Sequence, residues 1–218
     1  MTLYDHFLDH PVITTDSRRI PAGSLFFALR GASFDGNRFA MDALDKGASL
    51  AVVDDPQVVA EHPERGAQLL LVEDVLTTLQ ALAREHRRRL AIPILAIVGS
   101  NGKTTTKELT YSVLKQRFET YATVGNLNNH IGVPLTLLSM NRDTQLGVVE
   151  MGASACGEIA LLCSIAEPNY GIITNIGRSH LEGFGGPEGI RRGKGELFDF
   201  LARQGGRAFV PEEDPTRG

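Results

Sequence analysis

The sequence lacks several features that mark other classes of protein. It has no tryptophan, only two cysteines among 218 residues, and no run that approaches the roughly 18 consecutive apolar residues of a membrane helix. Basic residues are not in excess, since 22 Lys and Arg stand against 26 Asp and Glu and the net charge is −4. We therefore expect no membrane association and no bulk attraction to nucleic acid, so any bound anion must be held by a local site.

The amino terminus and the cysteines both indicate a cytoplasmic, reducing compartment. Residues 1–10 contain Asp5 and Asp9 in place of the basic and then apolar pattern of a secretory signal. Cys156 and Cys163 lie in a segment with helical spacing, where their Cα atoms would be about 10 Å apart. A disulfide needs less than about 7 Å, so we expect buried thiols.

Short apolar runs, at 42% hydrophobic composition, predict an α/β protein of two units. In residues 1–90, runs at Ser24–Leu29, Leu50–Val53 and Leu69–Val72 predict strands, and the spacing from Phe39 to Ala48 predicts a helix. This first unit is a small α/β domain.

A second helix is predicted over Val75–Leu90, and Ala91-Ile92-Pro93 ends it and forms a natural domain boundary. Its last turn contains Arg87, Arg88 and Arg89, which indicate a solvated face that offsets the helix dipole.

Residues 91–218 predict a mostly parallel sheet covered by helices. A helix is expected to begin near Thr104, with Leu109, Val113, Leu114 and Phe118 on one side. The predicted strands are Ile94–Val98, Thr120–Val124, Leu146–Glu150, Tyr170–Thr174 and Ala208–Val210, and the other predicted helices lie near Pro134–Met140, Gly157–Ile165 and Pro187–Arg203. Since only residues 211–218 follow the last run, we expect this sheet domain to be incomplete.

The strongest functional motif follows the first of these strands. It reads Gly99-Ser100-Asn101-Gly102-Lys103-Thr104-Thr105-Thr106 and leads into the helix. Backbone N–H groups of such a turn cradle phosphate, while the lysine reaches the outer phosphates and the first threonine hydroxyl a Mg²⁺ ion. The usual spacing would place a glycine at position 97, which is Ile97, so the loop is a shortened phosphate-binding loop with Gly99 as its first glycine.

Three further polar groups follow predicted strands or lie on a predicted helix. Glu150 ends an apolar strand, where an acid beside a phosphate loop holds Mg²⁺. His180 follows the next strand and could be a metal ligand, a phosphate contact or an ordinary loop histidine. Lys194 lies in the apolar stripe of the last helix between Gly193 and Gly195, and either extends toward solvent or takes part in chemistry.

An asparagine-rich loop precedes the helix near Pro134. Its residues Asn126, Asn128 and Asn129 are ordinary turn formers, and they also suit recognition of a polar, sugar-like or nucleotide ligand. The residues alone leave both interpretations open.

Together these motifs resemble the Mur ligases, the ATP-dependent amide ligases of peptidoglycan precursor synthesis. The resemblance covers nearly the whole chain and rests on Asp16-Ser17-Arg18, Pro21–Leu29, Asp35-Gly36, Gly99–Thr106, Gly125–Asn129, Glu150–Gly152, Asn175–His180, Glu182–Gly185 and Lys194–Glu196. The asparagine loop and the Glu-Gly-Phe-Gly segment most resemble the branch that adds D-alanyl-D-alanine to UDP-N-acetylmuramoyl-tripeptide.

The resemblance implies a role for each matching residue. Residues 1–90 would bind the UDP-sugar through Ser17 and Arg18, with Asn126, Asn128 and Asn129 as further substrate contacts.

Residues 91–218 would be part of the ATP-binding domain, with the loop amides and Lys103 on the phosphates, and Thr104 and Glu150 on one Mg²⁺ ion. His180 would bind a second Mg²⁺. Lys194 would carry a carbamate, formed when CO₂ adds to a neutral amine, that also serves as a metal ligand.

The implied reaction activates a carboxylate as an acyl phosphate, which an amine then displaces, so that Lys103, Glu150, His180 and Lys194 are the expected catalytic residues. The family has a longer central domain and a third, C-terminal domain. We therefore expect a truncated chain that is monomeric, binds UDP-sugar and is weak or inactive in ligation.

Several alternatives stay open at this stage. A related ligase that adds the third peptide residue, or a folylpolyglutamate-type ligase, would share these motifs. A non-catalytic nucleotide-binding module would share the phosphate loop alone. A kinase or GTPase has no support, because the Asn-Lys-x-Asp guanine signature does not occur.

Overall fold

A computed structural model describes residues 1–177 and 181–210, which form two compact units. The first unit spans Met1–Glu85 and the second begins at His86. The division therefore falls inside the helix Val75–Leu90, five residues before the boundary that the sequence predicts. In the described part of the chain, no helix is both long enough and apolar enough to cross a membrane.

The first unit is a four-stranded parallel sheet with helices and a small hairpin. The sheet order is β1-β2-β5-β6, and β3 pairs with β4 antiparallel. Its elements are α1 (Leu3–Asp9), β1 (Ile13–Thr14), β2 (Leu25–Phe27), β3 (Arg30–Gly31), β4 (Phe34–Asp35), α2 (Ala40–Asp45), β5 (Leu50–Val53), α3 (Pro56–Glu61), β6 (Leu69–Leu71) and the part of α4 (Val75–Leu90) up to Glu85, with 3₁₀ turns at Gly36–Phe39 and Pro63–Gln68. Strands β2 and β5 are buried along their whole length and form the core with α2.

The second unit is a five-stranded parallel sheet of order β11-β10-β7-β9-β8. Its elements are β7 (Ile94–Val98), α5 (Lys103–Leu114), β8 (Thr120–Ala122), α6 (Gly132–Leu138), β9 (Leu146–Glu150), α7 (Glu158–Ala166), β10 (Tyr170–Ile173), α8 (Leu181–Phe184), α9 (Pro187–Gln204) and β11 (Arg207–Phe209). All five side chains of β7 are buried, as expected of a central strand covered on both faces.

Parallel pairing brings the ends of three strands to one edge of this sheet. Val98 lies opposite Ile173, and Ile97 lies opposite Glu150. The segments that follow β7, β9 and β10 therefore meet at the carboxyl edge, which is where open α/β sheets bind ligands.

Helix α5 contacts the sheet with a different face from the one that the sequence predicts. Leu109 and Val113 are 65% and 70% exposed, and Phe118 is also exposed. Lys107 occupies a buried position on α5 instead. The prediction that the face with Leu109 and Val113 packs on the sheet was therefore wrong.

The arginines at the end of α4 also differ from the prediction, because Arg87 is buried. Its Nε donates to the carbonyl of Ala166 at 2.8 Å, and one terminal nitrogen donates to the carbonyl of Glu167 and to Oδ1 of Asn169, both at 2.9 Å. These carbonyls stand at the end of α7, where helix carbonyls have no partner within the helix. Arg87 thus caps another helix, while Arg88 is exposed and pairs with the Glu167 carboxylate.

We expect Arg87→Met to destabilise the protein by about 3 kcal/mol, because three oxygen acceptors at the end of α7 lose a charged donor. Urea unfolding followed by circular dichroism measures the change. Arg88→Met is the matched control, and we expect it to have much the smaller effect because exposed ion pairs contribute little. Equal effects of the two substitutions would contradict the capping role of Arg87.

The two cysteines are free thiols in different settings. Cys163 lies inside α7, and burial raises the pKa of its thiol to about 12. Cys156 lies before α7 begins, so the prediction that one helix contains both cysteines was wrong. The Cys156 thiol is half-buried and donates to the carbonyl of Gly189 at 3.3 Å.

Candidate active site

The phosphate loop connects β7 to α5, and its two glycines adopt backbone conformations that other residues rarely reach. Gly99 has φ +155°, and a Cβ atom there would stand 1.9 Å from Oγ1 of Thr174. Gly102 has φ +75° and immediately precedes α5. The glycine spacing of the motif therefore follows from a close approach at one end of the loop and a left-handed turn at the other.

The loop is held by the residues that follow β10. The amide of Ser100 donates to the carbonyl of Asn175 at 3.1 Å, and the amide of Asn101 donates to Oδ1 of Asn175 at 3.0 Å. In return, Oγ1 of Thr174 donates to the carbonyl of Asn101 at 2.6 Å. The amide of Gly177 donates to Oγ of Ser100 at 2.9 Å. These bonds fix the shape of the loop without any ligand.

Lys103 is the first residue of α5, and its ammonium stays inside the loop. Nζ donates to the carbonyl of Gly99 at 2.9 Å. This bond holds a positive charge beside the backbone turn, where an anion would gain from both the ammonium and the start of the helix.

Glu150 ends β9 as a buried carboxylate with two side-chain donors. It is 2% exposed. Oε2 accepts from Oγ1 of Thr104 at 3.0 Å, and Oε1 accepts from Nδ2 of Asn128 at 2.8 Å. Carboxylate and hydroxyl oxygens are ligands that Mg²⁺ prefers, so Glu150 and Thr104 fit the Mg²⁺ ion that the sequence predicts beside the loop.

Lys194 lies on α9 and is 2% exposed. Burial, together with a smaller contribution from repulsion by Lys103, lowers the pKa of its ammonium to about 8. Its Nζ lies 5.2 Å from the centre of the Phe184 ring. A Cβ atom on Gly193 would come within 2.5 Å of that ring, so the glycine at this position leaves room for Phe184.

Glu196 connects the lysine-bearing helix to α7. Its Oε1 accepts from the amide of Gly157 at 2.6 Å, and its Oε2 accepts from the amide of Ala160 at 2.9 Å. A carboxylate at this position satisfies free N–H groups at the start of α7 and complements the helix dipole. The motif Lys194-Gly195-Glu196 therefore contains a helix cap in addition to the lysine.

A cavity of about 530 Å³ brings many of the predicted residues together in the second unit. The predicted residues on its wall are Gly99, Ser100, Lys103, Asn128, Asn129 and Lys194. Thr104 and Glu150 are not among the described residues that line the cavity. Glu150 is, however, hydrogen-bonded to Asn128, which does line it. Asn101, Gly102, Thr105 and Asn126 lie outside this lining as well.

The cavity also contains residues that the sequence interpretation missed. His130, Ser154 and Glu158 are on its wall. The position of His130 directly after the asparagines could have indicated it. Ser154 and Glu158 gave no such signal, because they follow Glu150 in a stretch that contains no phosphate or metal motif.

Two predicted substrate residues already have partners in the protein. Nδ2 of Asn128 is bonded to Glu150, and the backbone carbonyl of Asn128 accepts from the amide of Gly152 at 2.7 Å. Oδ1 of Asn129 accepts from the amides of Ile131 and Gly132 at 3.1 and 2.8 Å. The asparagine loop thus supports the carboxylate and the start of α6.

His180 lies outside the described residues, together with Arg178 and Ser179. Within residues 1–177 and 181–210, no group of three or more His, Cys, Asp or Glu side chains could hold a metal ion.

Ser17 and Arg18 line a separate cavity of about 470 Å³ in the first unit. Phe34 and Phe39 stack on its wall with ring centres 5.3 Å apart. Arg18 donates twice to the Asp16 carboxylate at 2.8 Å, which lowers the pKa of Asp16 to about 2. The cavity therefore offers an aromatic surface beside a paired arginine and a buried serine.

Comparisons with known proteins give consistent matches. Residues 97–217 match the Mur ligase middle domain, and residues 11–89 match the Mur ligase family catalytic domain. The chain is 40% identical over 210 residues to the UDP-N-acetylmuramoyl-tripeptide–D-alanyl-D-alanine ligase of Bacillus subtilis (strain 168), covering 96% of this chain and 45% of the relative.

Solved structures give the same result. MurF from Acinetobacter baumannii matches with a TM-score of 0.83 and 38% identity, covering 93% of this chain and 44% of that one. The MurF ligase from Thermotoga maritima in complex with ADP matches with a TM-score of 0.84 and 33% identity, covering 99% and 48%. The chain thus spans about half the length of these relatives.

Proposed function

The chain belongs to the Mur ligase family, and we propose that it provides the ATP site and the UDP-sugar site of a ligase that joins D-alanyl-D-alanine to UDP-N-acetylmuramoyl-tripeptide. The observation that carries this proposal is the cavity of the second unit, where the phosphate-loop lysine Lys103 and the buried Lys194 share one wall. Beside it stands the bonded pair Thr104 and Glu150.

The phosphate loop is proposed to bind the ATP phosphates. Backbone amides between Gly99 and Thr105 would donate to phosphate oxygens, and Lys103 would neutralise part of their charge. The glycine conformations and the bonds from Thr174 and Asn175 support this role, because they hold the turn in one shape. The match to a ligase solved with ADP gives independent support.

Thr104 and Glu150 are proposed to hold Mg²⁺, with His180 as ligand of a second ion. A carbamate on Lys194 would add an anionic ligand, and the low pKa of this lysine supports it because CO₂ reacts only with a neutral amine. When bound, the ion would neutralise charge on phosphoryl oxygens.

The proposed reaction has two steps and needs no protein nucleophile. The substrate carboxylate attacks the γ-phosphorus of ATP, so that a P–O bond to the carboxylate forms as the bond to ADP breaks. The incoming amine then attacks the acyl carbon, phosphate leaves, and the amine loses a proton. Negative charge grows on the transferred phosphoryl oxygens in the first step, and Lys103 would stabilise it.

The first unit is proposed to hold the UDP-sugar in the cavity of Ser17 and Arg18. The stacked Phe34 and Phe39 support a planar ligand there, and the exposed guanidinium of Arg18 supports an anionic one. Asn126 remains a proposed substrate contact, since the described structure gives no bond that explains its side chain.

Titration of the chain with Mg²⁺·ATP, UDP-N-acetylmuramoyl-tripeptide and the matching UDP-dipeptide tests this proposal. We expect ATP and the tripeptide to bind, with the tripeptide preferred over the dipeptide by roughly tenfold, which corresponds to about 1.4 kcal/mol. A preference for the dipeptide would instead indicate the ligase that adds the third residue. ATP binding without either UDP-peptide would favour a non-catalytic nucleotide-binding module.

A further inference from the structure

Lys107 is a buried lysine for which the proposed function gives no role. It lies on α5 one turn after Lys103 and is 2% exposed. Its Nζ donates to the backbone carbonyl of Thr123 at 2.7 Å and lies 2.8 Å from Oε1 of Glu108, a mostly exposed carboxylate. Burial of an ammonium is costly unless its hydrogen bonds are made, so the bond to Thr123 is the central contact of this side chain.

Thr123 connects three elements at the carboxyl edge of the sheet. Its amide donates to the carbonyl of Val148 at 3.0 Å, and its carbonyl accepts from Lys107. Its Oγ1 accepts from the amide of Glu150 at 3.0 Å. Thr123 itself is buried. One residue after β8 therefore joins the phosphate-loop helix to the end of β9.

The same connection reaches the carboxylate of Glu150. Its oxygens are held by Thr104, which is on α5 with Lys107, and by Asn128, which is in the loop that begins after Thr123. Movement of α5 against Thr123 would therefore change the distance between the Thr104 hydroxyl and the Glu150 carboxylate. The hydrogen bond from Lys107 to the carbonyl of Thr123 opposes this movement.

We propose that Lys107 is a positioning residue, which acts through Thr123 to hold Thr104 and Glu150 at the separation that a divalent cation needs. This inference rests on the proposed function, because it assumes that nucleotide and cation bind at the phosphate loop. Lys107 does not itself contact phosphate, since its ammonium is buried and bonded to Thr123.

Titration of the chain with ADP, in the presence and absence of Mg²⁺, tests the proposal on Lys107→Met. We expect the gain in ADP affinity that Mg²⁺ provides to fall roughly tenfold, while the affinity without Mg²⁺ stays within about twofold of the parent. Thr123→Val should reproduce the loss, because it removes the hydroxyl that holds Glu150, and Thr123→Ser should retain the gain. Lys115→Met, an exposed lysine on the same helix face as Tyr111, is the control.

Amide hydrogen exchange gives a readout that needs no ligand. We expect the Glu150 amide, which donates to Thr123, to exchange faster in Lys107→Met, while amides in the middle of β7 keep their protection. An equal loss of ADP affinity with and without Mg²⁺ would overturn the proposal, and so would unchanged protection of the Glu150 amide. If the parent chain itself showed no Mg²⁺-dependent ADP binding, the proposed function would fail, and hydrogen exchange alone would decide the role of Lys107.

Discussion

Replacing Lys103 by methionine is expected to weaken ATP binding by roughly 100-fold, or about 3 kcal/mol. The ammonium of Lys103 is bonded to the carbonyl of Gly99 inside the loop, so it is already held where the phosphates are proposed to bind. Methionine keeps most of the length of the side chain but removes the charge and all three donors. Isothermal titration with Mg²⁺·ATP measures the loss.

Two control measurements show whether the loss of ATP affinity is specific to Lys103. Lys115→Met removes a lysine from the end of the same helix, and its ATP affinity should stay within twofold of the parent. Affinity for the UDP-tripeptide in the absence of ATP should change much less in Lys103→Met, because the proposed UDP-sugar contacts Ser17 and Arg18 lie in the other unit. Normal ATP binding by Lys103→Met would mean that the loop does not cradle phosphate.

Strands β7 and β9 and helix α4 could be predicted because each has a plain apolar pattern, whereas β1, β3 and β4, which are only two residues long, were not predicted. The observed bounds of β7, β9 and α4 are those that the sequence predicts. A strand covered on both faces must be apolar at every position, and its ends are marked when polar or glycine residues begin. Helix α4 was marked differently, by an apolar stripe on one face and by the proline that follows it.

The failures came from polar side chains that are buried by tertiary contacts. Lys107 takes an inward position on α5 that an apolar pattern would assign to Leu109 or Val113. Arg87 caps α7, almost 80 residues later in the chain, and no local spacing encodes such a contact. In both cases a hydrogen bond to a backbone carbonyl outweighs the average tendency of charged residues to be exposed.

In the candidate site, too, contiguous motifs could be predicted from the sequence, whereas contacts between distant residues could not. Glycines, a lysine and threonines at fixed spacing predicted a loop between a strand and a helix, and the structure has that loop between β7 and α5, because the motif is contiguous. The bond between Asn128 and Glu150 joins residues 22 positions apart, and the cap from Glu196 to Gly157 joins residues 39 apart. Such pairs could be found only when the sheet brought them together.

Lys194 is expected to form a carbamate when the chain is equilibrated with CO₂. A pKa of about 8 leaves roughly a tenth of the amine neutral at pH 7, which is roughly 250 times the fraction of an ordinary lysine. The neutral nitrogen attacks CO₂, a C–N bond forms, and one proton is released. In ¹³CO₂, nuclear magnetic resonance should show a carbamate carbon that is absent from Lys194→Met.

The pH dependence of the carbamate follows from the direction of the pKa shift. Because the pKa of Lys194 is lowered, the neutral amine increases as pH rises toward 8, so at constant dissolved CO₂ the signal should grow between pH 6 and pH 8. Lys107 provides the matched control, since its Nζ already donates to the carbonyl of Thr123, so Lys107→Met should keep the carbamate signal.

Chemical rescue connects the carbamate to function. A carbamate contributes a carboxylate-like anion beside Lys103, so Lys194→Ala should lower the Mg²⁺-dependent part of ATP binding, and acetate or formate should restore part of it by occupying the space of the lost group. A Lys194→Ala variant with undiminished Mg²⁺-dependent binding would contradict the carbamate. Loss without rescue would indicate instead that Lys194 acts as an ammonium that contacts phosphate directly.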